Sequence, residues 1–159
     1  MVTSATGPAD LPVRQARLSD IDAMQAVVTA AYSIYLPRMD TPPAPMTHDL
    51  TPDVGAGHVW VIGDPVIGLI CLIPRDGALL IENVALAPEA QGRGAGRRLL
   101  RFAEDRAREL GRNRLRLYTN EKMTENVALY TRLGYAETDR RTDDGHRRVF
   151  MEKVLGEPT

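Results

Sequence analysis

Three strand-like runs follow one another in this chain: HVWVIG at 58–63, VIGLICLI at 66–73 and ALLIENVAL at 78–86. Only Asp-Pro separates the first pair and only Pro-Arg-Asp-Gly the second, and both are turn chemistry. Connections this short cannot hold the crossover that joins parallel neighbours. The runs therefore predict an antiparallel meander and exclude a purely parallel sheet. The middle run is apolar throughout, as expected of a strand covered on both faces. In the third, alternation puts Glu82, Val84 and Leu86 on one face and Asn83 on the other.

Helical signals flank the meander. Val13 to Arg17 suits a short strand, and Ser19 is placed to cap a helix carrying Ile21, Met24, Val27, Val28 and Ala31 at helical spacing. The segment PRMDTPPAPM, with four prolines, cannot continue that helix, and a short helical turn is expected around 48–54. After the meander, Leu99, Ala103, Ala107 and Leu110 form one stripe that Gly111 should end. RLRLYT alternates as a half-exposed strand, and TENVALYTRLGY reads as a helix stopped by Gly134. YAETDRR, the turn DDG and HRRVFMEKVL make a final hairpin. The order β-α-βββ-α-β-α-ββ predicts an α/β (α+β) fold: a mixed, mostly antiparallel sheet of six to seven strands with helices on both faces. With 159 residues and 43% hydrophobic content, the chain suits one domain over 13–155, between tails at 1–12 and 156–159.

Several function classes are disfavoured. A net charge of −1 argues against broad electrostatic capture of nucleic acid or of an anionic membrane. The arginines between Arg93 and Arg116 are interleaved with Glu104, Asp105 and Glu109, which suits a solvated helix face with i, i+4 pairing. No run approaches the length of a membrane span, and the first dozen residues lack a signal peptide's basic start and apolar stretch, so a cytoplasmic location is expected. The single cysteine, Cys71, lies inside an apolar run and reads as a buried thiol. His48, His58 and His146 are scattered without ligand spacing, so no metal site is expected.

The stretch PEAQGRGAGRRLL, 88–100, gives up side chains just where an amphipathic helix begins. Glycines there let backbone N–H groups approach a ligand, and the first N–H groups of a helix have no intrahelical partner. The helix dipole adds partial positive charge, which suits a phosphate or pyrophosphate. Arg93, Arg97 and Arg98 can add charge-assisted contacts at the rim. A Walker loop is excluded, because Arg97 and Arg98 stand where Lys and Ser/Thr are needed. The dinucleotide fingerprint is excluded too, since Arg97 and Leu99 occupy its last glycine position. From the turn alone, a phosphate cradle and a tight helix–strand packing site both remain open.

The wider pattern resembles the acetyl-CoA site of the GCN5-related N-acetyltransferase superfamily. That family's Gln/Arg-x-x-Gly-x-Gly/Ala is matched by Gln91, Gly94 and Gly96. Val84, Leu86 and Pro88 match the strand end before it, and Leu129-Tyr130 and Leu133-Gly134-Tyr135 match the later helix. The similarity runs from about Val13 to Leu155 and implies the family's fold. It also implies acetyl-CoA as co-substrate, its pyrophosphate resting on the backbone of Gly92, Arg93, Gly94, Ala95, Gly96 and Arg97, with Gln91 bracing the turn. The pantetheine arm would pair with main-chain groups of Val84, Ala85 and Leu86 as an added strand.

For the chemistry, the resemblance assigns Tyr130 as the acid that protonates the departing thiolate; the alternative is a core tyrosine. A phenol of pKa about 10 is still protonated at neutral pH. Asn126 lies a helical turn earlier and either touches the CoA arm or caps the helix. Met123 stands where many family members carry that asparagine. Glu82 is the acid nearest the site, either a general base acting through water or a salt-bridge partner of an arginine. Tyr32, Tyr35 and Met46 either wall the acceptor side or pack in the core. The implied activity is N-acetyl transfer to a primary amine, with a small molecule favoured by the rigid proline-rich loop. A non-catalytic acyl-CoA sensor and a protein N-terminal or lysine acetyltransferase are the alternatives. Dimerisation is common in the family, so a homodimer is within what the resemblance implies.

Overall fold

The computed structural model describes residues 11–143 and 145–156. Most of both expected tails, 1–10 and 157–159, and Asp144 of the hairpin turn lie outside the described residues. Seven strands form one mixed sheet in the order β1-β2-β3-β4-β5-β7-β6. They are β1 (Val13–Gln15), β2 (Val59–Ile62), β3 (Gly68–Arg75), β4 (Ala78–Leu86), β5 (Arg114–Asn120), β6 (Ala136–Asp143) and β7 (His146–Val154). The helices are α1 (Ile21–Tyr32), α2 (Ala44–Thr47), α3 (Thr51–Gly55), α4 (Ala95–Glu109) and α5 (Thr124–Arg132). β4 pairs parallel with β5, whereas β1–β2, β2–β3, β5–β7 and β6–β7 pair antiparallel. The element order is the one the periodicities predict, with α2 added.

The chain divides into two compact units: residues up to 72 with 83–102, and 73–82 with the residues from 103 onward. In the first, β2 is buried at every position, as are the first five residues of β3. Met24, Val27 and Val28 of α1 and Ala95, Leu99 and Leu100 of α4 complete its core. Cys71 is fully buried there, as its apolar run predicts. Trp60 packs against Phe102 with ring centroids 5.3 Å apart.

One local expectation fails at the start of this unit. Ser19 does not cap α1, because residues Leu18–Asp20 form a 3-10 turn that leads into the helix. Asp20 makes no side-chain cap to α1 either; it closes the 3-10 turn, its carboxylate accepting from the Arg17 backbone N–H at 2.8 Å while both terminal nitrogens of Arg14 clamp it. The proline segment does stop α1, but its residues then fold locally, Ser33–Arg38 as a 3-10 helix and Ala44–Thr47 as α2. Proline suits the first turn of a helix, where its missing N–H would have no partner anyway.

In the second unit, β5 alternates buried Leu115, Leu117 and Thr119 with half-exposed Arg116, Tyr118 and Asn120. Leu79 and Ile81 of β4 and Val149 and Met151 of β7 share this core. Ala103 and Ala107 of α4 are buried, but Leu110 is exposed: the helix ends at Glu109, and Gly111 turns the chain in the left-handed region. Two ion pairs on α4, Arg106–Glu109 and Arg108–Asp105, have i, i+3 spacing.

Candidate active site

The glycine turn, in the first unit, assigns a different task to each glycine. Gly92 and Gly94 adopt φ of 79° and 93°, a region where a Cβ is strained, so the chain can turn sharply only because both are glycine. A Cβ on Gly92 would meet nothing within 4 Å, so packing does not explain its absence. The Gly94 carbonyl accepts the first helical hydrogen bond, from Arg98 N–H at 2.9 Å, which leaves Ala95, Gly96 and Arg97 as the first turn of a fifteen-residue helix. Their N–H groups have no carbonyl four residues back within the helix and carry the positive end of its dipole.

Gly96 serves the other purpose. A Cβ on it would lie 3.2 Å from one methyl of Leu86. On the opposite side, a Cβ on Gly68 would lie 2.6 Å from the other methyl of Leu86 and 3.1 Å from the Ala85 carbonyl oxygen. Two bare Cα positions thus seat one leucine at the end of β4. The sequence left cradle and packing as alternatives; packing accounts for Gly96 but not for Gly92.

The turn is also tied to the strand before it. Gln91 Nε2 donates to the Leu86 carbonyl at 3.3 Å, the bracing expected of it, and Ala87 N–H donates to the Ile67 carbonyl at 2.8 Å. Arg93 and Arg97 are exposed at the rim, whereas Arg98 Nε is engaged by the Leu11 carbonyl at 3.2 Å. Ala85 is buried, and Val84 and Leu86 are half-buried on the opposite face, as strand alternation predicts. Asn83 is buried beside Ala85, and its amide oxygen accepts from the Tyr32 hydroxyl at 3.1 Å. Tyr35 is buried near Tyr32, while Tyr32 and Met46 are half-exposed.

Glu82, Asn126 and Tyr130 belong to the second unit. Glu82 is half-buried on β4, one residue past the last ladder pair with β5, Ile81 with Leu117. No arginine pairs with it among the described residues; its Oε1 accepts from the Tyr118 hydroxyl at 2.9 Å. Burial first, then the Glu82 charge and this hydrogen bond, push the Tyr118 phenol far above its ordinary value; Arg148 opposes them. Tyr118 thus stays protonated and donates. Sequence reasoning missed it, although its place on the half-exposed face of RLRLYT was the available signal.

Tyr130 is buried on α5, and its ring meets Tyr135 edge-on with centroids 5.6 Å apart. Gly134, at φ 98°, ends α5 and lets the Tyr135 N–H return to the Tyr130 carbonyl at 3.0 Å. Asn126 does not cap the helix. Met123 holds that position without a side-chain hydrogen bond, and the Asn126 amide points to the Met123 sulfur at 3.6 Å. Among the described residues, no group of three or more His, Cys, Asp or Glu side chains could hold a metal ion, and no helix is long and apolar enough to cross a membrane.

The sequence profile described as "Acetyltransferase (GNAT) family" matches residues 23–135. No curated protein sequence matches the chain significantly. Among solved structures, the PaiA N-acetyltransferase of Thermoplasma acidophilum in complex with coenzyme A aligns with TM-score 0.78 at 18% identity, over 91% of this chain and 99% of its own. The ribosomal-protein-S18-alanine N-acetyltransferase of Escherichia coli gives 0.69 at 18%, over 94% and 96%. A GNAT family acetyltransferase of Elizabethkingia anophelis with acetyl-CoA bound gives 0.60 at 21%, over 71% and 86%. At these identities the structural likeness is one of fold.

Proposed function

The chain belongs to the acetyltransferase (GNAT) family, and on that premise we propose that it transfers an acetyl group from acetyl-CoA to the primary amine of a small molecule. The observation that carries this reading is the left-handed pair Gly92 and Gly94 directly ahead of α4. It exposes backbone donors at a helix N-terminus, where a pyrophosphate is stabilised without any side chain. Gln91, Gly92, Arg93, Gly94, Ala95, Gly96 and Arg97 would hold that group, and main-chain groups of Val84, Ala85 and Leu86 would pair with the pantetheine arm. Asn126 would add a contact to the same arm.

The reaction is a direct attack within a ternary complex. The free amine forms a C–N bond at the thioester carbonyl, whose oxygen a backbone N–H near Val84 polarises. Glu82 takes the proton the amine sheds, through a water. As the C–S bond breaks, Tyr130 gives its phenolic proton to the departing thiolate, and solvent restores it. Holding the two reactants together supplies much of the acceleration. The segment from Ser33 to Thr47, stiffened by prolines and folded as 3-10 and α-helix, supports a small acceptor over an extended peptide.

A CoA-release assay across amines, amino acids and N-terminal peptides tests the reading. Turnover with at least one small amine, above any peptide, is expected. Turnover with peptides alone would move the assignment to a protein acetyltransferase. Tight acetyl-CoA binding without turnover on any acceptor would leave a sensor.

A further inference from the structure

The Tyr118–Glu82 hydrogen bond sits in a layered arrangement that holds the phenol in place. The Tyr118 ring packs against Phe150, its cross-strand partner on β7, with centroids 5.8 Å apart. The Arg148 guanidinium lies 4.4 Å from the Tyr118 centroid, and Arg141 covers Phe150 at 3.9 Å. Arg148 is itself buried and is fixed by Asp143 at 3.1 Å. The hydroxyl therefore emerges from a ring that packing immobilises, and it donates to the carboxylate on the neighbouring strand.

We propose that Tyr118 is a positioning residue for acetyl transfer: its clamped hydroxyl fixes the Glu82 carboxylate in one orientation. This rests on reading Glu82 as the base. A carboxylate has two oxygens. Tyr118 engages Oε1, which leaves Oε2 to take the proton relayed from the amine. In this unit the other charged groups acting on the phenol are Arg148 from β7 and Asp143 from β6, of opposite sign and paired with each other. The hydroxyl is thus the directed contact. A proton-accepting role for Tyr118 itself is opposed by its burial and by the Glu82 charge beside it.

Tyr118→Phe keeps the ring, its stack on Phe150 and its place under Arg148, and removes only the donor. Rate profiles in kcat/KM against pH are compared for the parent, Tyr118→Phe, Glu82→Gln and the double variant. Tyr118→Phe should lower kcat several-fold with KM for acetyl-CoA unchanged, because the base loses its orientation and not the co-substrate. The double variant should be no slower than Glu82→Gln. Replacing Tyr118 by 3-fluorotyrosine, which keeps both ring and donor, should restore kcat, whereas Tyr118→Phe, which keeps the ring alone, should not. Parent-like kcat in Tyr118→Phe, or no recovery in the fluorotyrosine protein, while Glu82→Gln still lowers turnover, overturns this inference and leaves Glu82 as the base. Parent-like turnover and profile in Glu82→Gln would remove the base assignment itself, and the role of Tyr118 with it.

Discussion

Replacing Gly68 by alanine probes the packing that seats the end of β4. Gly68 opens β3 opposite Ile62, and its φ lies outside the left-handed region, so alanine fits the backbone there. Space is the obstacle. The new methyl would lie 2.6 Å from a Leu86 methyl, 3.1 Å from the Ala85 carbonyl oxygen and 3.1 Å from Ile62 Cγ2. Leu86 has little room to retreat, because its other methyl already faces the bare Cα of Gly96. Overpacking of this kind costs about 1–3 kcal/mol, and alanine returns about 0.4–1 kcal/mol by restricting the unfolded chain. The net loss of about 1–2 kcal/mol should lower the melting temperature by about 2–8 °C for a chain of this size. Thermal melts followed by circular dichroism measure it directly. In a Leu86→Ala background the same substitution should lose most of its effect, since the closest clash is gone. A Gly68→Ala protein that melts with the parent, or an equal penalty in both backgrounds, would refute the argument that Gly68 exists to seat Leu86.

Three further outcomes are expected. Tyr32→Phe strands the buried Asn83 amide oxygen, and melts should show a loss of about 1 kcal/mol, the low end for an unsatisfied buried group because Tyr32 is half-exposed; an unchanged melt would mean another donor reaches Asn83. Asp20 is held down to about 2, first by the Arg14 hydrogen bond and further by the Arg17 N–H, against its own desolvation. Its folded value thus lies below its ordinary one, so its contribution is present above about pH 4 and fades as pH falls towards 2. Asp20→Asn should melt lower than the parent at pH 7, with the gap closing near pH 2, and a gap independent of pH would contradict the linkage. Tyr130→Phe keeps the edge-on contact with Tyr135 but not the proton, so turnover should fall at least about tenfold with acetyl-CoA affinity intact; parent-like turnover would remove the acid role.

The fold was legible because its signals are local. Turn residues between apolar runs defined the β2-β3-β4 meander, and glycines marked the ends of α4 and α5. Strand alternation correctly put Glu82, Val84 and Leu86 on one side of β4. What escaped depends on partners distant in sequence. Tyr118 reaches Glu82 across 36 residues and Tyr32 reaches Asn83 across 51, and no periodicity encodes either pairing. Gly68 looked like an ordinary member of an apolar strand, since its purpose lies in Leu86, eighteen positions on. Capping was misjudged at Ser19 because a 3-10 turn moved the helix start and gave the Arg17 N–H to Asp20. The glycine turn was visible at once, yet its division of labour was not, because composition cannot separate a left-handed glycine from one that clears space.

The central claim is that backbone donors around the turn receive the pyrophosphate of acetyl-CoA. Titrating acetyl-CoA into 15N-labelled protein and following the amide resonances tests it most directly. The account predicts saturable shifts largest at Gly92 to Arg97, with a second set at Val84 to Leu86, and the first set alone reproduced by a CoA fragment that ends at the pyrophosphate. Saturation of binding with the 92–97 amides unmoved would contradict it.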